Sequence, residues 1–476
     1  MLFQSWQYLL LLIATLLCVA TIKNATVKRV CILVSSIFFY AYGAAWQTIL
    51  FLAVIFGAYV AGRLFEKNKS KILFAIILFI LFLPLLLYKY VPFILSLIPL
   101  VNEQAYMDVF LLPIGISFYT FQAVGYVIDV YKSSYKAERS LLSFACFISF
   151  FPQLVAGPIE RYDNLFEQIR EMKKPDYSMM SKGFRHIILG LCLKLLIAET
   201  MAGFVNPVYN NLNGKSGFAV IVATICFGIQ IYCDFNGYTQ IAIGSANILG
   251  INLMQNFNHP YKATSISDFW RRWHISLTTW FRDYLYIPLG GNRKGKFRTF
   301  LNSIITFLVS GIWHGANWTF ALWGLFNGVG MATEKLYIKH ITKNRFTKAF
   351  YAVVVFVCIN LFWVFFRANS VEDAFLCYKL IFTQTFSSFS SLTSGYDIIN
   401  FLLYENGWNV NSFIPAFISL FIYIWYEYGF GKKNNLTSCL NSQKIYVRWI
   451  TYAVIILVTL YFGTTLQQSD FVYFRF

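Results

Sequence analysis

The chain has 476 residues, 58% of them hydrophobic and 20% aromatic, and only 13% charged. Soluble domains carry about 25% charged residues, so this composition, with a mean hydropathy of +0.57, leaves no room for a sizeable soluble domain. The net charge of +18 lies in short loops between apolar runs, the positive-inside pattern of a membrane protein, and no nucleic-acid motif accompanies it.

Apolar runs recur from end to end, at 5–21, 30–44, 72–100, 109–128, 302–313, 350–366, 412–426 and 447–462. A spanning helix needs about 20 apolar residues, so we expect an all-α polytopic membrane protein with roughly eleven to thirteen membrane helices, some short or re-entrant. The chain divides into N-terminal helices (1–104), a polar-studded core (105–335) and C-terminal helices (336–476) within one integral membrane domain. The first run lacks a basic flank and a cleavage site, and reads as the first membrane helix. Lys23, Lys28 and Arg29, then Arg63 to Lys71, then Lys132 to Arg139 form basic loops, whereas 101–108 carries only Glu103 and Asp108. Basic loops in the cytoplasm and 101–108 outside give a consistent map with the N-terminus outside.

Polar residues then break the apolar runs. "LLPIGISFYTFQAVGYVIDVY" (111–131) carries Gln122 and Asp129, and "FFPQLVAGPIERY" (150–162) has two prolines and a glycine at an apparent membrane edge. The stretch 157–185 holds eleven charges of nearly balanced sign and reads as a surface loop with a short helix. "IQIYCDFNGYTQIAIG" (229–244) places Asp234, Asn236, Tyr238 and Gln240 in a span. A carboxylate buried there must be paired or neutral.

"DFWRRWHISLTTWFRDYLYIPLGG" (268–291) gathers six ionisable side chains among aromatic ones. On a wheel of 100° per residue, Ser267, Arg271, His274, Thr278 and Arg282 form one stripe. Asp268, Arg272, Thr279 and Asp283 lie beside it, and Phe269, Trp270, Trp273, Leu277, Trp280 and Tyr284 fill the opposite face. The expectation is one amphipathic helix at the membrane interface, anchored by its aromatic face and ended by Pro288 and Gly290–Gly291. Asp268–Arg272 and Thr279–Asp283 have i, i+4 spacing for local pairing. Arginines on such a helix can do no more than touch lipid phosphates, but a histidine adds little as an anchor, and ionisable groups at membrane depth are usually functional.

The 262–298 region has eight Lys/Arg against two acids, and 334–348 has five against one, so both are expected in the cytoplasm. Only 299–333 lies between them, too short for two full crossings. A short hairpin or re-entrant pair follows, its turn near "SGIWHGANW" lying against protein or a water-filled cavity, with His314 at the bottom of a pocket. Ser310, His314 and Asn317 share a face if the helix persists, with Trp313 beside them.

The nine cysteines are scattered, without C-x-x-C, and read as packing residues. The five histidines (186, 259, 274, 314 and 340) form no H-x-x-x-H or H-E-x-x-H pattern, and no P-loop, G-x-S-x-G or G-x-G-x-x-G occurs. No metal site and no bound cofactor are expected. A histidine general base is the simplest remaining catalytic tool, with packing as the alternative for a lone buried imidazole.

"DFWRRWHISLTTWFRDYLYIPLGGNRKGK" followed by "SGIWHGANWTFALWG" resembles the membrane-bound O-acyltransferase family, in its alginate O-acetyltransferase-like bacterial branch. "LPIGISFYTFQAVGYVIDVY", "FFPQLVAGPI" and "QIYCDFNGYTQIAIG" resemble further segments of that branch in the same order. The likeness is strong over about 105–330. It implies a helical bundle around a funnel and tunnel, in the bacterial cytoplasmic membrane, passing an acetyl group from cytoplasmic acetyl-CoA for O-acetylation of an extracytoplasmic polysaccharide. It implies that His314 is catalytic and that His274, a second candidate catalytic residue, lies on the cytoplasmic side of the acyl path. Ser310 or Asn317 would fix the imidazole or donate to the oxyanion, with Trp313, Asp234, Asn236 and Tyr238 supporting the pocket. Arg271, Arg272, Arg282 and Asp268 would face the donor. Asn236 and Gln240 depart from the serine and acid common in the branch. The implied partners are an SGNH-type acetyltransferase, the polysaccharide acceptor and the lipid bilayer. Two other functions remain open at this point: D-alanyl transfer from a carrier-protein thioester to teichoic acid, and a transporter or flippase, which the absence of an inverted repeat disfavours.

Overall fold

The computed structural model describes residues 1, 3–98, 111–155, 157–341, 344–395, 397, 401, 413–428, 443–465 and 471. The 101–108 segment, with Glu103 and Asp108, lies outside them. The described residues fold as helices, in order α1 (Trp6–Thr21), α2 (Ala25–Ala41), α3 (Gln47–Lys67), α4 (Lys71–Ser96), α5 (Ile116–Tyr131), α6 (Leu141–Ser149), α7 (Tyr162–Glu171) and α8 (Tyr177–Tyr209). Then come α9 (Gly217–Ile248), α10 (Ile266–Arg272), α11 (Ile275–Phe281), α12 (Lys296–His314), α13 (Trp318–Ile341), α14 (Arg345–Arg367), α15 (Val371–Ser390), α16 (Phe413–Tyr428) and α17 (Ile445–Thr465). Polar caps start many of them: Ser5, Asn24, Ser70, Ser140, Ser265, Asn344 and Ser370 each accept a hydrogen bond from a first-turn N–H, satisfying donors that a helix otherwise leaves open.

Five described helices are long and apolar enough to cross a bilayer: α3, α4, α8, α9 and Phe346–Arg367 of α14, with shorter apolar helices at Trp6–Thr21, Ile414–Tyr428 and Ile445–Tyr461. The protein is a multi-pass, all-α membrane protein. α4 keeps its helix through Pro84 and Pro92, which membrane helices tolerate because freed backbone groups find other partners. Between 157 and 185 the expected short helix is α7, its Leu165, Phe166 and Ile169 turned inward.

The chain packs as two compact units that interleave in sequence, one formed by Met1–Ile187 with Tyr238–Asn256, the other by Ile188–Gly237 with Phe257–Phe476. In the first, α8 and α9 touch backbone to backbone: a Cβ on Gly183 would lie 2.5 Å from the Gly244 carbonyl oxygen. Small residues allow such approach between membrane helices.

In the second unit α12 and α13 form the hairpin expected from charge spacing. Its arms draw on flanking residues and are longer than 299–333, so α12 runs about 28 Å, close to a full hydrocarbon thickness. The arms pack through glycine. A Cβ on Gly311 would collide with the Phe320 carbonyl oxygen, and one on Gly324 with the Phe307 carbonyl oxygen.

The charged segment departs from its wheel in two ways. It is not one helix: α10 ends at Arg272, His274 adopts the left-handed conformation (φ 42°), and α11 starts again at Ile275, running into a π-helical turn at Arg282–Tyr286. Its aromatic face is also no lipid anchor, because Phe269, Trp270, Trp273, Leu277 and Trp280 are all buried within protein. Trp273 stacks on Phe269 at 5.5 Å and packs against Trp363 at 5.0 Å.

Candidate active site

α12 carries a stripe of residues along one side. Ser303, Thr306, Phe307, Ser310 and His314 follow the i, i+3, i+4, i+7 and i+11 spacing of a single helix face. All five line one cavity of about 710 Å³. At 1.5 Å per residue the stripe spans about 16 Å, so the cavity is an elongated groove with His314 at one end. Ser267, Arg271, His274, Thr278 and Arg282 also line it. The five residues placed on one stripe by the wheel therefore do face one space, although the helix carrying them is broken.

The Ser303 end of the groove is cationic. Lys335, from α13, donates to Ser303 Oγ at 3.0 Å and lies over the Tyr286 ring at 5.2 Å. Arg271 and Arg282 are solvent-exposed while lining the same space. His314, by contrast, is 5% exposed. Its ring sits edge-on to Trp323 at 5.1 Å, with Trp313 at 4.9 Å and Phe366 at 5.4 Å. This aromatic collar fixes the imidazole, and Ser310, one turn earlier, supplies a hydroxyl to the same cavity.

His274 is 1% exposed and stands edge-on to Phe235 at 4.6 Å. The break in the helix is what delivers it. A non-glycine residue in the left-handed region costs roughly 1–2 kcal/mol, and here that conformation turns the histidine inward between two helices.

Other expected site residues lie elsewhere. Asn317 is off the His314 face because α12 stops at His314, with Gly315 extended (φ −160°). Asn317 is instead exposed, and its side chain accepts the Thr319 N–H at the start of α13. Trp313 packs on both His314 and His274, the latter at 6.3 Å. Asp234 is ion-paired with Lys194 at 2.7 Å, and Lys194 also reaches Glu199 at 2.8 Å. That is the paired state expected of a buried carboxylate. Asn236 donates to the Tyr426 hydroxyl at 2.9 Å. Tyr238 belongs to the first unit, where it stacks on Phe3 at 4.2 Å, and Gln240 there bonds His186 Nδ1 at 2.6 Å.

Arg272 pairs with Asp268 at 3.1 Å, as the i, i+4 spacing predicts, and neither is among the residues lining the groove. Thr279 does not pair with Asp283: its hydroxyl donates to the Ser276 carbonyl, and Asp283 pairs with its neighbour Arg282 at 2.7 Å. The π-helical turn at Arg282 displaces the register on which the i, i+4 pairing depended.

Two functional-looking residues escape a motif reading. One is Lys335. The other is Glu334, fully buried, which accepts the Ile266 N–H at 2.6 Å, the Ser267 N–H at 2.9 Å and the Tyr351 hydroxyl at 2.9 Å. A carboxylate at a helix N-terminus meets open donors and the positive end of the dipole, so Glu334 pins α10 to α13. Its signal in the sequence is being the one acid of the basic 334–348 stretch.

The chain is similar in sequence to known proteins. The family described as MBOAT, membrane-bound O-acyltransferase, matches residues 132–372. A probable alginate O-acetylase of Pseudomonas putida is 41% identical over 273 residues, covering 57% of this chain and 56% of that relative. The chain therefore matches only about half the length of that relative. A peptidoglycan O-acetyltransferase of Helicobacter pylori is 34% identical over 385 residues, 74% of this chain and 73% of its own length. A teichoic acid D-alanyltransferase of Streptococcus thermophilus is more distant, 28% identical over 66% of this chain and 79% of its length.

Proposed function

This chain belongs to the membrane-bound O-acyltransferase family, and on that premise we propose that it passes an acetyl group from cytoplasmic acetyl-CoA for O-acetylation of an extracytoplasmic polysaccharide. The observation carrying this reading is the groove along α12, with Lys335 held at its Ser303 end, exposed Arg271 and Arg282 on its lining and a buried imidazole at its other end. Such a space accepts a long, thin thioester whose anionic end stays among cations. Arginine and lysine suit phosphate groups by charge-assisted hydrogen bonds.

His314 acts as general base. It takes the proton of the acceptor hydroxyl as that oxygen attacks the thioester carbonyl. The tetrahedral intermediate collapses, the C–S bond breaks, the ester forms, and the proton passes to the departing thiolate. Base catalysis of this kind contributes about 10²–10⁴-fold. Ser310 is the nearest groove hydroxyl along the helix for orienting the imidazole or donating to the oxyanion. His274, which lines the same groove, borders the donor's path.

The basic loops lie in the cytoplasm of a bacterial cell, with the N-terminus outside, and an SGNH-type acetyltransferase receives the acetyl group for delivery to the polymer. Purified protein incubated with acetyl-CoA should release free CoA in the presence of acceptor. D-alanyl transfer would leave an amine on the product instead, and a carrier would release no CoA.

A further inference from the structure

We propose that a second cavity, in the first unit and independent of the acyl-transfer reading, is a binding site for a phosphate group. The cavity is about 550 Å³, and four cations from three separate stretches of chain line it: Arg29 of α2, Lys136 and Arg139 of the loop before α6, and Arg170 of α7. Only two acids share the lining, Glu138 and Glu167, and both are engaged. Glu138 accepts the Ser140 N–H at 2.7 Å and the Tyr162 hydroxyl at 3.1 Å, and Glu167 reaches Arg170 at 3.8 Å. The balance of charge is therefore positive.

The pocket is also built, because one of its cations is held. Arg29 Nη1 donates to Ser143 Oγ at 2.7 Å and Nη2 to Thr26 Oγ1 at 3.0 Å, and Ser143 is 1% exposed. Arg29 Nε is buried with no acceptor among the described residues, and a buried donor left so is costly unless something else accepts from it. Ser140, which also lines the cavity, caps α6, so the positive end of that nine-residue helix opens at the same place. Guanidinium groups, an ammonium, hydroxyls and a helix N-terminus together suit a tetrahedral anion with several acceptor oxygens. Ordinary positive-inside loops spread their charge over a surface, whereas here residues distant in sequence converge on one concavity. The phosphate can belong to a lipid headgroup or be free in solution, the chemistry of recognition being the same.

The test uses the full-length protein in detergent and in lipid nanodiscs, with two probes: dioleoylphosphatidylglycerol, followed by native mass spectrometry, and radiolabelled inorganic phosphate, followed by equilibrium dialysis. Wild type should retain at least one of them, and the Arg29→Gln/Arg139→Gln variant should bind it about tenfold or more weakly. The Lys173→Gln/Lys174→Gln variant, whose exposed lysines lie outside the pocket, should bind as wild type does. Retention of the lipid alone assigns a headgroup site, and retention of inorganic phosphate assigns a site open to solution. If the Arg29 variant does not fold, Lys136→Gln/Arg139→Gln, at two exposed positions, gives the same reading. Failure of both probes to bind wild type, unchanged binding in the pocket variants, or an equal loss in the control variant would each overturn the proposal.

Discussion

Among the described residues of the second unit, two clusters of ionisable groups are opposites. Lys194 reaches both Glu199 and Asp234 within 2.8 Å, and all three side chains are almost wholly buried. The groove groups, His314, Lys335, Arg271 and Arg282, face a space large enough for a ligand. Charge at membrane depth is commonly taken as a mark of function, yet here the same mark covers a closed structural triad and an open site. What separates them is whether the polar atoms look at each other or at a cavity.

Mutation can test that division, and the largest effect should come from the closed cluster. Removing one partner of a buried ion pair costs about 3–5 kcal/mol, so Asp234→Ala should lower the thermal stability and membrane level of the protein, measured by fluorescence-detected size exclusion. A normal level with lost transfer would instead move Asp234 into the chemistry. Lys335→Gln and Arg271→Gln should each raise the KM for donor about tenfold with kcat nearly kept, since a hydrogen bond to a charged group is worth about 1.5–3 kcal/mol; a kcat loss at constant KM would contradict a donor-binding role. Glu334→Gln keeps one carbonyl acceptor for α10 and should cost less than Glu334→Ala in both stability and KM. An equal cost would mean that charge, not acceptor geometry, holds the helix. The smallest effect belongs to Arg272→Gln. Its pair with Asp268 is about a quarter exposed, and pairs of this kind are worth about 0.3–0.5 kcal/mol, so donor kinetics should stay within twofold of wild type. A larger shift would put Arg272 back on the donor path.

The sequence revealed His314 more clearly than it revealed the helix beside it. Two basic segments so close together forced a hairpin, and a hairpin with a polar turn forced a pocket, without reference to local propensity. The break at His274 carried no such sign. "RRWHISL" has no proline or glycine, and the turn exists because burying Trp273 and His274 in the unit's interior outweighs the backbone strain. The same tertiary demand drew the aromatic face inward, where a wheel sees only amphipathicity. Asn317 was misplaced because one helix end, at Gly315, fell between two residues that a continuous helix would align. Lys335 and Glu334 look like ordinary loop charges until α13 brings them to Ser303 and to the start of α10. Asp234, paired as its burial required, found partners that no spacing rule points to, because Lys194 lies on another helix within a π-helical stretch.

The central claim is that the His314 imidazole receives the proton of the attacking hydroxyl. Its most direct test is acetyl transfer by His314→Ala and His274→Ala measured side by side in membranes matched for protein level. The account predicts a loss of about 10²–10⁴-fold for His314→Ala with donor binding intact, and a smaller loss for His274→Ala. Transfer by His314→Ala at close to the wild-type rate would contradict it.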